Sequence, residues 1–310
     1  MIEKNVVVEP LISIIIPTFN RASMLKESIK SVENQRYSNY EIIIVDDCSS
    51  DSTEKVVKQY IIKNSKISYF RNKNNYGAGY SRKIGYEKSK GEFLIFADDD
   101  DYYTDYDFFY KAIKEFDTDI AFVSGNSLIK YENTGKYNFI PLNVKGKINR
   151  RLYLQNFQNG YDKPNSTFTT IFNKEMLEKS NIKNLIMMND SAIYLRALLS
   201  GDAIILEDII GVYRIHNNNI TFNLKLDFLI QNLEEKKYIY DEMKNDKIIE
   251  NIEKWWMDQL IVTCKYYILG SKPNDLEYNK LLLWCKKNTE NQKKAEIEKK
   301  LNDVYITIKT

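Results

Sequence analysis

Histidine, cysteine, proline and glycine are all sparse in this chain of 310 residues: one, three, five and eleven respectively. The single histidine, His216, has no recognisable nucleophile motif to serve, which removes a Ser/His/Asp arrangement, and a lone histidine is structural more often than it is a ligand. The cysteines, Cys48, Cys264 and Cys285, are odd in number and widely spaced. That fits reduced thiols in a cytosol better than a disulfide framework or a zinc site. No stretch approaches the roughly 20 apolar residues that span a bilayer. Glu9-Pro10 splits the early apolar residues into two short pieces, so no signal-peptide pattern forms. The expectation is a soluble, cytoplasmic protein that at most lies on the inner face of a membrane. A net charge of +2 gives no reason to expect nucleic acid. No G-x-x-x-x-G-K-[ST] is present. Gly77-Ala78-Gly79 is not G-x-G-x-x-G, because Arg82 stands in the third glycine's place and the segment follows a third strand instead of a first. These glycines are expected to permit a tight turn, with Arg82 free to meet a phosphate or an acid.

What is present is an alternation. Residues 11–16, 41–45, 67–70 and 92–97 are short apolar runs, and residues 22–35, 51–63 and 78–90 between them carry helical character. Leu25, Ile29 and Val32 share one face of the first helix, and Asp51 and Glu54 stand at capping-box spacing in the second. Continuous apolar strands alternating with helices predict an α/β fold with a mostly parallel sheet covered on both faces. After residue 118 the pattern loosens: strands are expected at 119–124, 167–173 and 202–216, helices at 149–159 and 190–200. From about 224 the chain is helical and charged. A domain of residues 1–222 and a helical region of 223–310 follow from that change.

In such sheets the ligand crevice lies outside the carboxyl ends of the strands. Those ends here are Pro17-Thr18-Phe19-Asn20, Asp46-Asp47 and Asp98-Asp99-Asp100-Asp101. Four adjacent carboxylates repel one another, and a helix cap needs one aspartate, not four. An Asp-x-Asp at the end of a buried strand suits a hard divalent cation, Mg²⁺ or Mn²⁺, which takes one or two carboxylates and leaves positions for phosphates. Asp46-Asp47 repeats the arrangement and suits a base N–H or ribose hydroxyls, with turn chemistry as the plainer reading.

The stretches "SIIIPTFNRASMLKESIKSV", "YEIIIVDDCSSDST", "NYGAGYSRKIGYEKSKGEFLIFADDDDYY" and "NDSAIYLRALLSGDAIILEDIIGVYRIHNNNIT" together resemble the family 2 glycosyltransferases of GT-A fold, the type that builds bacterial surface polysaccharides. The resemblance covers most of residues 10–222 and nothing beyond about 225. It implies a nucleotide-sugar donor, a divalent metal and inversion at the anomeric carbon. On the matching positions it places Pro17, Thr18 and Phe19 at the nucleoside pocket, Asp47 on the base (uracil, and so UDP), and Asp98 and Asp99 at the ribose, with Arg82 nearby. It makes Asp100 the principal metal ligand, His216 its companion, and Asp190 the catalytic base. Asn189 stands where the family carries a second acid, and Lys83 where it carries Asn. The segment at 161–170 is expected near a glycan or lipid-linked acceptor.

Two other classes share these features. A metal-dependent sugar nucleotidyltransferase would show a Gly-rich basic loop after the first strand, which "PTFNRASM" lacks. A silent carbohydrate-binding or scaffold protein need not keep Asp100, Asp190 and His216 together. Asp190 itself could be a helix cap. In the tail, Trp256, Leu260, Cys264 and Tyr267 fall near one helical face, which suits packing or subunit pairing and, as a sharper alternative, docking on an anionic membrane.

Overall fold

The computed structural model describes residues 9–217, 219 and 224–309. In chain order the elements begin with β1 (Ile12–Thr18), α1 (Ala22–Glu33), β2 (Tyr40–Asp46), α2 (Thr53–Lys63), β3 (Ile67–Arg71), α3 (Ala78–Lys88) and β4 (Phe93–Phe96). There follow β5 (Tyr102–Tyr103), α4 (Phe108–Lys114), β6 (Ile120–Tyr131), β7 (Lys136–Phe139), β8 (Gly146–Ile148), α5 (Arg150–Asn156), β9 (Thr170–Asn173), α6 (Lys174–Lys179), α7 (Asp190–Ser200) and β10 (Asp202–Ile215). Four helices close the chain: α8 (Leu226–Asp246), α9 (Ile252–Ser271), α10 (Asp275–Lys287) and α11 (Lys294–Thr307).

The chain divides into two compact units. One holds the residues up to Arg150 together with Pro164–Arg214, the other Arg151–Lys163 together with the chain from Ile215 onward. The expected boundary at 222 and part of "HNNNIT" lie in residues 218 and 220–223, outside the described residues. The segment at 151–163 joins the helical unit for a physical reason. Trp255 Nε1 donates to Leu154 O and Gln259 Nε2 to Phe157 O, both at 2.7 Å, so side chains of α9 satisfy carbonyls at the frayed end of α5.

In the first unit the sheet runs β3-β2-β1-β4-β9-β6-β10-β5, with β7 beside β6 and β8 beside β10. Pairing is parallel among β3, β2, β1 and β4 and antiparallel where β9 meets β4 and β6. The strand–helix alternation thus predicts the pairing only as far as it lasts. Every residue of β1 is buried, as a central strand covered on both faces requires. Each buried Ile there is worth about 1.5–3 kcal/mol. The predicted face of α1, Leu25, Ile29 and Val32, packs into the same core. On α3, a Cβ at Gly85 would stand 2.3 Å from Ile15 Cγ2, so that glycine lets the helix lie close on β1. One local expectation changes. Asp51 accepts from the Thr53 N–H at 2.9 Å, but Glu54 turns to Lys58 and Arg71 and no capping box forms. None of the four aspartates caps α4, which begins at Phe108 after Asp107.

Candidate active site

The strand order reverses between β1 and β4, since the chain leaves β1 toward β2 and returns across to β4. Ligands of such sheets bind at this switch point, outside the carboxyl ends of the strands. The β1–β4 ladder ends at Ile15–Phe96, with Ala97 N–H donating to Ile15 O at 2.9 Å. The next residue of β1 facing β4 is Pro17, which has no N–H to continue it. Asn20 then turns the chain in the left-handed region, φ 54°, a conformation asparagine tolerates. Its Oδ1 accepts from the N–H groups of Ser50 at 2.7 Å and Asp51 at 3.2 Å, and its own N–H donates to Ser49 Oγ at 2.9 Å. That turn aims Arg21 at the acids after β4.

Each aspartate of the run has its own surroundings. Asp98 accepts from Arg82 Nη2 at 2.5 Å and from Ser166 Oγ at 3.0 Å. Asp99, nearly buried, accepts from Thr18 Oγ1 at 2.7 Å and Arg21 Nη1 at 2.9 Å. The same Arg21 nitrogen reaches Asp100 Oδ2 at 2.6 Å. Asp101 Oδ1 accepts from the Arg214 N–H at 3.0 Å, while its Oδ2 is buried with no hydrogen-bond partner among the described residues. Burial dominates the electrostatics: it pushes Asp99 up to about 7, helped by Asp100 and opposed by Arg21 and Thr18. Asp98 is raised by burial, with Arg82 opposing and Asp190 and Asp100 adding to it. Asp101 is raised well above the carboxylate range by burial and then by Asp100 and Asp98.

Arg82 meets acids. Its guanidinium, nearly buried, contacts Asp98 at 2.5 Å through Nη2, and through Nη1 Asp190 at 3.1 Å and Met188 O at 3.3 Å. One side chain of α3 thus ties the acidic strand end to the first residue of α7. Asp190 is not the cap of that helix: Asn189 is, accepting from the Ala192 N–H at 3.0 Å. With capping accounted for by its neighbour, Asp190 stands on the rim of the acidic cluster with its side chain 29% exposed. The glycines before Arg82 divide their work. Gly77 carries the tight turn at φ 90°, whereas a Cβ on Gly79 would stand 2.2 Å from Met187 Cγ, so the second glycine admits the 187–189 segment.

Asp47, buried beside the end of β2, accepts from Asn72 Nδ2 at 2.8 Å, Tyr76 N–H at 3.0 Å and Gly77 N–H at 2.6 Å. It holds the 72–77 loop in place and keeps lone-pair capacity on Oδ2. Asp46 accepts from Ser49 N–H at 2.8 Å and Tyr69 Oη at 2.6 Å. Phe19 projects 42% exposed from the same edge, beside buried Pro17 and Thr18. His216 directly follows β10 in the other unit, and its N–H donates to Asn219 Oδ1 at 2.6 Å. Thr18, Arg82, Asp98, Asp99, Asp100 and Asp190 are therefore brought together in the first unit, and Asp47 with Phe19 flanks them. Sequence reasoning misses Arg21 and Ser166. Arg21 follows the strand-end turn directly, and that position is the signal that could have found it; Ser166 has only its place in the 161–170 segment.

The donor set fits a hard dication in one particular way. Four acids, Asp98, Asp99, Asp100 and Asp190, pair with the guanidinium groups of Arg21 and Arg82, while that of Arg214 pairs with Glu27 and Glu132. The cluster retains negative charge that a divalent ion would offset. Among the described residues no three His, Cys, Asp or Glu side chains converge into a ready-made cage. Ions such as Mg²⁺ at one or two carboxylates plus substrate phosphates do not need one.

A parallel half-sheet joined to an antiparallel half, with acids gathered at the switch point, is a fold of GT-A type. The model of the glycosyl transferase family 2 matches residues 13–199, and the chain belongs to that family. It is similar to the GalNAc(5)-diNAcBac-PP-undecaprenol beta-1,3-glucosyltransferase of Campylobacter jejuni subsp. jejuni serotype O:2, 31% identical over 188 residues. That match covers 60% of this chain and 59% of the relative, so the chain spans less than two thirds of the relative's length. Among solved structures it is similar to S. aureus TarS 1-349 in complex with UDP-GlcNAc, with TM-score 0.63, 16% identity and coverage of 97% of this chain and 90% of that one. A mannosyltransferase from Pyrobaculum calidifontis, in complex with GDP-Man and Mn²⁺, gives TM-score 0.54 and 14% identity over 97% of this chain and 86% of that one. At such identities the structures show the fold.

Proposed function

We propose that the protein is a metal-dependent, inverting glycosyltransferase that moves a sugar from a UDP-sugar to a hydroxyl of a glycan or lipid-linked acceptor in surface polysaccharide synthesis. The observation that carries this reading is the Arg82 bridge, which sets Asp190 beside the Asp-x-Asp of β4. Phe19 and Asp47 would border the nucleoside, and Asp98 and Asp99 the ribose side. Asp100 would hold Mn²⁺ or Mg²⁺. Bound there, the ion would supply positive charge for the departing diphosphate. Asp190 accepts the proton of the acceptor hydroxyl as that oxygen attacks the anomeric carbon from the face opposite the leaving group. Arg82 orients Asp190 for this while satisfying Asp98. The named relative supports a lipid-linked acceptor, TarS a UDP-sugar, and the mannosyltransferase a divalent metal.

The described helices include none long and apolar enough to cross a membrane. The apolar face of α9 is spent inside the helical unit, where Trp256, Leu260, Cys264 and Tyr267 are buried. A membrane surface or a second subunit would meet outward residues such as Leu269, Leu276, Leu283 and Ile306 instead. The functional test is a panel of UDP-, GDP- and dTDP-sugars incubated with Mn²⁺ or with EDTA. Slow hydrolysis of one UDP-sugar, lost in EDTA, is the expected result. Hydrolysis that ignores EDTA, or a preference for another nucleotide, contradicts the reading.

A further inference from the structure

We infer that Arg21 is the resident counter-ion of the β4 carboxylates and that a divalent cation must displace its guanidinium from Asp100 to bind. The inference rests on the metal reading above. One nitrogen, Arg21 Nη1, bridges Asp99 Oδ1 at 2.9 Å and Asp100 Oδ2 at 2.6 Å, and both acids are all but buried. Two neighbouring carboxylates withdrawn from water need a compensating charge, and here the chain supplies one itself.

The placement is built into the turn. Asn20 is fixed by Ser49, Ser50 and Asp51, and the next residues start α1, with Leu25 N–H donating to Arg21 O at 3.0 Å and Ala22 N–H to Asp51 Oδ2 at 3.1 Å. Arg21 therefore enters the cluster from a braced backbone, unlike a surface arginine that finds an acid by chance. A dication on Asp100 would lie within a few ångströms of that guanidinium. Like charges so close in a shielded site repel strongly, so the two cations weaken each other's hold on the same oxygen. Such antagonism is reciprocal by linkage. The guanidinium released from Asp100 has the incoming diphosphate as its natural partner, and metal and donor should consequently bind more tightly together than apart.

Mn²⁺ titrations followed by the free-ion electron paramagnetic resonance signal test this without any turnover. The proteins compared are wild type, Arg21→Met, Arg21→Lys and Asp100→Asn, each with and without UDP. Arg21→Met should bind Mn²⁺ in the absence of nucleotide at least about 5-fold more tightly than wild type, the lower end of typical coupling between sites. Its metal-free melting temperature should fall, and Mn²⁺ should restore more of it than wild type gains. Arg21→Lys keeps the charge but loses the fork, should lie between the two, and carries the test if Arg21→Met does not fold. Equal Mn²⁺ affinity in wild type and both Arg21 variants overturns the inference and leaves an ordinary structural ion pair. Failure of every protein to bind Mn²⁺ even with UDP bound, or undiminished binding by Asp100→Asn, instead overturns the metal reading and the inference with it.

Discussion

Lys236 carries an amine into the interior of the helical unit, where Nζ donates to Gln259 Oε1 at 2.8 Å and Thr263 Oγ1 at 2.9 Å. These acceptors are neutral, so burial governs and pushes the amine down to about 7, with Cys264 opposing and Lys163 adding to the effect. The unfolded chain holds this proton up to about 10.4. Between pH 7 and that value the unfolded state binds more protons than the folded one, and stability rises with pH. The contribution is at most about 1.4 kcal/mol per pH unit. Urea unfolding of wild type and Lys236→Met between pH 7 and 9 should show the wild-type curve gaining stability relative to the variant; parallel curves contradict the assignment. Nothing in the sequence marks Lys236 among so many lysines, because its burial depends on three separate segments. The aspartates are the opposite case. A buried strand that stops at four acids announces a site in one dimension, and Arg82 stands close enough before it to be read with it, whereas Arg21 comes from a turn 78 residues before Asp99.

At the scale of elements, the first four strands are legible because each reads as a short apolar run, which buries β1 and nearly all of β2 on both faces and leaves the edge strand β3 half-buried. The short β5 and the 3₁₀ turn at Thr167–Thr169 leave no periodic trace, whereas the strand expected at 202–216 is the long β10. The start of α7 is legible as a start, yet Asn189 and Asp190 are equally good caps on paper. Three-dimensional structure separates them, giving the cap to Asn189 and the Arg82 contact to Asp190. Asn189→Ala should cost about 1 kcal/mol of stability, measured by thermal or urea unfolding. Asn189→Asp should leave stability nearly unchanged, since aspartate caps as well as asparagine. A loss with Asp as large as with Ala would show that the side chain does something other than cap.

Over the whole molecule, the alternating half of the chain could be read as a GT-A sheet, and the family model confirms the family. The division into units could not, because a 13-residue segment before β9 belongs with helices nearly a hundred residues later. Contacts such as Trp255 to Leu154 join distant positions and leave no pattern in a linear sequence. The proposed mechanism depends on Asp190 as the base of a sugar transfer at the acidic end of the β1–β4 switch point. Asp190→Asn isolates it, because the substitution removes the basic oxygen while Asn189 continues to cap α7. The measurement is turnover of the cognate UDP-sugar in Mn²⁺, paired with UDP affinity by calorimetry. The prediction is a fall of about 10² to 10⁴-fold in rate with UDP affinity retained; turnover within a few-fold of wild type would place the base elsewhere and contradict the mechanism.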